Sequence, residues 1–196
     1  MYRWDFVTNT LTEALNLQPA TGEAYTSTAI GPDGQMYAIN NSILFAVGSP
    51  AQATSVSVFQ GTAGKGTLAD VWAVDGLCYS TGSVAAPAGS VAAIEADFSF
   101  PGATNSGVSV TVSAAARSGV TGFVYAYDYS SRQFIVLGDH AMLSSQALFT
   151  GTAAGTGHQF IGPNGQVRIV VRGVLPPHVS PGQFTLAVDE VLCQPS

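Results

Sequence analysis

The stretch Phe123-Val124-Tyr125-Ala126-Tyr127-Asp128-Tyr129 decides the class of fold. Every second side chain is a large aromatic ring, and Val, Ala and Asp stand between them. A period of two belongs to an extended strand, whose successive side chains point to opposite faces, and not to the 3.6-residue helix. Ser130-Ser131 and then Phe134 follow, so the strand is predicted to turn back on itself in a hairpin with a short loop. The same alternation recurs outward in both directions, at 108–112, 167–171 and 184–188. Pro101-Gly102, Gly162-Pro163-Asn164-Gly165 and Pro181-Gly182 supply turns between these runs. No segment carries a helical stripe; Thr67 to Trp72 suffices for one helical turn, with Thr67 as its cap. The expected class is all-β, built of antiparallel, half-buried strands.

Composition narrows the partners. Only 18 of 196 residues are charged, Lys65 is the sole lysine, and the net charge is −6. So few cations neither release counterions from a phosphate backbone nor coat an anionic bilayer, so nucleic acid is not an expected partner. The apolar residues fall in short alternating runs, and no membrane span is predicted. The length is enough for one large or two small domains. A small-residue linker, Gly48-Ser49-Pro50-Ala51, separates a unit at 1–48 from a larger one at 52–196. The first unit reads as about four short strands, near 2–7, 10–14, 35–40 and 43–47, with Thr26–Ile30 as a fifth. No basic segment followed by an apolar run opens the chain, which starts directly on strand-like sequence and reads as beginning inside a longer protein.

Two resemblances follow from particular residues. Gly31-Pro32-Asp33-Gly34-Gln35-Met36-Tyr37-Ala38-Ile39-Asn40, followed by Ile43-Leu44-Phe45-Ala46-Val47, resembles the inner hairpin of a quinoprotein-like β-propeller blade. Only one blade's worth is present, and no quinone or other cofactor is implied. Residues 52–196 resemble a carbohydrate-binding-type jelly roll of the kind found at the C-termini of bacterial surface and secreted proteins. The resemblance rests on Gly66-Thr67-Leu68-Ala69-Asp70 with Asp75, the Tyr125–Tyr129 hairpin, and Gly165–Arg172 ahead of Phe184–Leu192. It implies an antiparallel β-sandwich in which the first and last strands are neighbours. It also implies a structural calcium near those strands, for which Glu95, Asp97, Asp189 and Glu190 are of the right type; no loop shows closely spaced Asp/Asn ligands, and no metal site is assigned.

No catalytic constellation is found: there is no G-x-S-x-G or H-E-x-x-H, and His140, His158 and His178 are expected in separate loops. Tyr125, Tyr127 and Tyr129 share one strand face and form a candidate sugar-stacking platform, with Trp72 and Tyr79 as further candidate binding residues. The competing reading makes that face core, and the cost of leaving four large rings in water favours it. Cys78 and Cys193 are too few for a zinc site and have no basic neighbour to make a reactive thiolate. Strand-like sequence around both favours a disulfide over two inert thiols. Such a bridge would contribute about 4–5 kcal/mol in the chain-entropy model and places the protein outside the reducing cytosol; the neighbouring first and last strands of the jelly-roll resemblance fit it. The expectation is a non-catalytic extracellular or cell-surface structural protein, without cofactor, that forms a homo-oligomer or surface assembly through residues 1–48. The alternative is a carbohydrate-binding module with a glycan partner.

Overall fold

The computed structural model describes residues 51–87, 89–101, 103, 107–177 and 182–196 in full, and the backbone of five short strands in the first fifty residues. The linker residues 48–50 and His178 lie outside the described residues. The chain divides into two compact units, Met1–Ser49 and Pro50–Ser196. In the first, β1 (Tyr2–Asp5) pairs antiparallel with β2 (Thr10–Glu13). A second sheet joins β3 (Ala29–Ile30), β4 (Met36–Asn40) and β5 (Ile43–Val47) in that order, with Asn40 opposite Ile43. Of the segment expected as a fifth strand, Ala29–Ile30 is described.

The second unit is a jelly-roll β-sandwich of two antiparallel sheets. Its strands in chain order are β6 (Ala51–Gln52), β7 (Ser55–Gln60), β8 (Tyr79–Gly82), β9 (Val84–Ala86), β10 (Gly89–Ser99), β11 (Val108–Ala115), β12 (Thr121–Asp128), β13 (Gln133–Ala141), β14 (Ala147–Ala153), β15 (Gln166–Leu175) and β16 (Thr185–Pro195). One sheet runs β13-β12-β15-β10-β7, with β9 also beside β10; the other runs β14-β11-β16-β6, with β8 also beside β16. All four alternating runs of the sequence are strands, β11, β12, β15 and β16. The expected helical turn is a 3-10 turn at Leu68–Val71, where the Asp70 carboxylate accepts a hydrogen bond from the Thr67 N–H at 2.7 Å.

The core fills the space between the sheets. Ile94, Ala96 and Phe98 of β10 and Val167, Ile169 and Val171 of β15 face Val108, Val110 and Val112 of β11 and Leu186, Val188 and Val191 of β16. Each of these Val, Leu, Ile and Phe side chains contributes about 1.5–3 kcal/mol by leaving water. On β12, however, the side turned to this core carries Gly122, Val124, Ala126 and Asp128, all buried, while Phe123, Tyr125, Tyr127 and Tyr129 are half-buried on the opposite face. The preference for an aromatic core face is thereby corrected: small side chains let the sheets approach here, and the rings find shelter on the other side.

Asp128 ends β12 on the core face and organises the hairpin. Its Oδ1 accepts hydrogen bonds from the Ser130 N–H (2.8 Å), the Ser130 hydroxyl and the Ser131 N–H (3.1 Å), and its Oδ2 accepts one from the Gln159 amide (3.1 Å). This Asx-type turn leads to Arg132, which takes a left-handed φ of 58°. The hydrogen bond from the Ser130 hydroxyl, with those from Ser131 and Gln159 and against the cost of burial, holds the Asp128 carboxyl well below the ordinary carboxylate range.

Three ladders each carry one extra residue. Phe59 lies between Val58 and Gln60, which oppose Ile94 and Ala93; Leu137 is the surplus residue of β13 against β12; Asp189 is that of β16 against β11. Such bulges re-aim a side chain. Asp189, fully buried, accepts the Gly76 N–H at 3.2 Å.

The expected Cys78–Cys193 bridge is absent, and both cysteines are free thiols. The first and last strands of the module are indeed neighbours, but the residue opposite Cys193 is Ala51. Tyr79 pairs with Val188, which puts Cys78 level with Asp189, four residues from Cys193 along β16. That is about 13 Å at the usual rise of a strand, against a limit of about 7 Å between bridged Cα atoms. Cys78 instead accepts a hydrogen bond from the Gln146 amide at 3.0 Å, and burial pushes the Cys193 thiol up to about 12.

Candidate functional site

The face of the β13-β12-β15-β10-β7 sheet turned away from the core is concave. Register places Phe134, Tyr127, Arg168, Asp97 and Ser55 side by side across it, with Val136, Tyr125, Val170, Glu95 and Ser57 in the next row. In a flat sheet the edge strands β13 and β7 would stand about 19 Å apart. Yet the Phe134 and Phe59 rings, one from each edge, meet edge-to-face with centroids 5.3 Å apart. The sheet is therefore curled, and the bulge at Phe59 throws its ring across the hollow.

Beneath this ring pair lies a charged centre. The Arg168 guanidinium sits 5.0 Å from the Tyr127 ring centroid and 5.6 Å from that of Phe134, in cation–π contact with both. It donates to Glu95 Oε1 at 2.6 Å and stands 3.9 Å from Asp97 Oδ1. Burial opposes the Arg168 charge, but the hydrogen bond to Glu95 and the charges of Glu95 and Asp97 outweigh it and raise its pKa. Arg168 is thus held rigidly as a donor, since its charge is matched and its plane is stacked.

Beside the ion pair the hollow opens as a groove of about 670 Å³, lined among others by Ser55, Ser57, Asp97, Tyr129, Gln166 and Arg168. That volume falls within the range of small-ligand sites. Asp97 Oδ2 accepts the Ser55 hydroxyl at 2.7 Å, but Asp97 Oδ1 and the Tyr129 hydroxyl are buried with no hydrogen-bond partner among the described residues. Burial, together with the nearby Asp97 charge and against the pull of Arg168, raises the Tyr129 pKa and keeps the phenol a donor. The Tyr127 and Tyr129 rings meet edge-to-face at 5.0 Å, so Tyr129 forms a braced wall.

Of the residues singled out in the sequence, Tyr125, Tyr127 and Tyr129 stand together on this concave face, and Tyr129 lines the groove. Trp72 and Tyr79 belong elsewhere. Trp72 bridges to Glu190 of the other sheet and donates its indole N–H to the Ala53 carbonyl at 2.9 Å, and Tyr79 pairs with Val188; both pack against the core. The four carboxylates considered for calcium are split between the sheets, Glu95 and Asp97 on β10 and Asp189 and Glu190 on β16, and no group of three or more potential metal ligands gathers among the described residues. His140 lies in strand β13, not in a loop, stacked on Phe149 at 5.3 Å. Phe59, Phe134 and Arg168 were missed in the sequence; Arg168 within the alternating 167–171 run was the available signal.

No protein-family profile and no curated protein matches the chain. Among solved structures, similarity is found to TmCBM61 in complex with β-1,4-galactotriose, at 10% identity over 72% of this chain and 88% of that one, with a TM-score of 0.42. A CBM4 structure is similar at 14% identity over 63% of this chain and 87% of that one, TM-score 0.41. A structure described for the promiscuous specificity of carbohydrate-binding modules of the β-sandwich superfamily is similar at 9% identity over 82% of this chain and 72% of that one, TM-score 0.42. Identities and scores this low carry no ligand over to the present chain.

Proposed function

We propose that the module formed by residues 51–196 is a non-catalytic carbohydrate-binding module, and that its ligand lies in the concave groove. The observation that carries this reading is the meeting, in one groove, of an aromatic wall with polar atoms that lack a partner among the described residues. A pyranose offers an apolar C–H face and a rim of hydroxyls. The Tyr129 ring suits the first, in the manner of aromatic side chains with one apolar and one wet side. Asp97 Oδ1, the Tyr129 hydroxyl and Arg168 suit the second, because a buried polar atom without a partner gains most when a ligand supplies one. The test is binding of the full chain to an array of polysaccharides. Binding that is lost in Asp97→Ala, with the circular dichroism spectrum unchanged, is expected; no binding to any glycan overturns the reading.

A second role concerns the first unit. Its blade-like β3-β4-β5 sheet and its β1–β2 pair have no further strand partner among the described residues. Small sheets with open edges take up strands from other chains, which supports assembly through residues 1–48 and, with the glycan reading, a place at a cell surface. Light scattering after size exclusion should give a mass several times 20.1 kDa; a monomer at all concentrations removes this role.

A further inference from the structure

The groove occupies one end of the hollow. Its lining comes from the end of the sheet where β10 and β12 finish and β7 and β15 begin, from Ser55, Ser99, Tyr129 and Gln166 inward to Glu95. Farther along the same face, Val170, Ala93 and Val91 are 2%, 0% and 0% exposed, although they point away from the sandwich core and are not part of its cluster. The protein's own side chains thus occupy the concave face there. Across the hollow, the Phe59–Phe134 pair joins the two edges of the sheet. A polymer laid through the hollow would have to displace those rings or the packed residues behind them. A chain end would not.

The charges narrow the ligand further. Arg168 faces two carboxylates, Glu95 at 2.6 Å and Asp97 Oδ1 at 3.9 Å, so one negative charge stays in surplus at the groove, and Asp97 Oδ1 has no hydrogen-bond partner among the described residues. A uronate or sulfate entering the groove would meet uncompensated negative charge in a partly dry site, while a neutral hydroxyl would find an acceptor. Resting on the carbohydrate reading above, we infer that the groove takes the terminal residues of an uncharged glycan chain, capped by the Phe59–Phe134 clasp, and not an internal stretch of polymer.

The experiment uses the full chain and neutral polysaccharides (galactan, xylan, glucomannan and soluble β-glucan), each as the long polymer and as its partial hydrolysate of known mean length. The number of binding sites per gram of glycan is measured by calorimetric titration for both forms. End recognition requires the sites per gram to rise by the same factor by which the mean length falls. Reduction of the sugar ends to alditols then separates the two kinds of terminus: if binding disappears, the reducing end is held, and if it is unchanged, the non-reducing end. Phe59→Ala, which unclasps the groove, should bring the sites per gram on polymer up towards the hydrolysate value. Equal sites per gram on polymer and hydrolysate with the unaltered protein overturns the inference while leaving carbohydrate binding intact. Binding to neither form of any glycan overturns both.

Discussion

The two sheets of the sandwich share one core but turn different faces outward. On the β14-β11-β16 side Ser109, Thr111, Thr150 and Thr152 face outward among a few larger residues, Leu148 and Leu192, and no aromatic ring from β11 or β14 joins them. The other sheet presents three aromatic rings from β12 and a fourth, Tyr129, just past its end, another from β13, a stacked arginine and two carboxylates. Both patterns satisfy the same alternation, so alternation does not distinguish a face of small polar residues from one that gathers rings and charges into a hollow. Curvature does. The sheet that curls far enough for its edges to touch shelters rings that would be costly to expose on a flat one, and it creates a partly dry site in which polar contacts gain strength.

The largest expected effect separates core from groove. Phe98 is 1% exposed and packs between the sheets, so Phe98→Ala should cost about 3–5 kcal/mol in chemical denaturation. A cost below about 1 kcal/mol would mean that the interior collapses around the gap and is not the close-packed layer described. Next comes a matched pair on the two outer faces. Tyr129→Phe removes a hydroxyl that has no partner among the described residues, so stability should stay within about 0.5 kcal/mol. The same change should weaken glycan binding by roughly tenfold, or about 1.4 kcal/mol. Thr152→Ala on the opposite face should change neither. Equal binding by both variants would remove the functional contrast between the sheets.

The third effect is one of pH. The folded Asp128 carboxyl titrates below its unfolded value, so its hydrogen bonds contribute fully above the ordinary carboxylate pKa of about 4, and the contribution is lost as pH falls from there through the depressed folded value. Asp128→Asn should therefore lower the melting temperature at neutral pH and narrow its gap to the unaltered protein as pH falls below about 4; a gap independent of pH would mean that the charge plays no part. The smallest effect is chemical. Without reductant, the denatured protein should react with two equivalents of iodoacetamide. In the folded protein Cys193 should stay unlabelled and Cys78 react slowly, its pKa raised by burial and by Asp189. No labelling after denaturation would restore the disulfide.

The sequence carried four strands of the sandwich (β11, β12, β15 and β16), the hairpin after Tyr129 and the turn at Thr67, because each depends on residues within a few positions of one another; β7, β10 and β14 were not read from it. It did not say which side of β12 faces inward. Val124 and Ala126 are as apolar as a core requires, and an argument from buried area alone favours the larger rings. Only the register of five strands shows that the rings have a second place of refuge. The groove was illegible for the same reason: Ser55, Asp97, Tyr129 and Arg168 are far apart in sequence and meet through pairings that no local pattern specifies. The disulfide expectation failed by one strand. The neighbour of the final strand near Cys193 is the two-residue β6, too short to register as a strand in the sequence.

The bulge at Phe59 also has a meaning for how such a groove changes over time. Because Phe59 is the surplus residue between Val58 and Gln60, its deletion would leave a regular ladder against β10 and take away the clasp in one step. Its insertion would do the reverse. Neither event alters a residue of the sandwich core, so a one-codon insertion or deletion in an edge strand is enough to join or part the two edges of the curled sheet while leaving folding almost untouched.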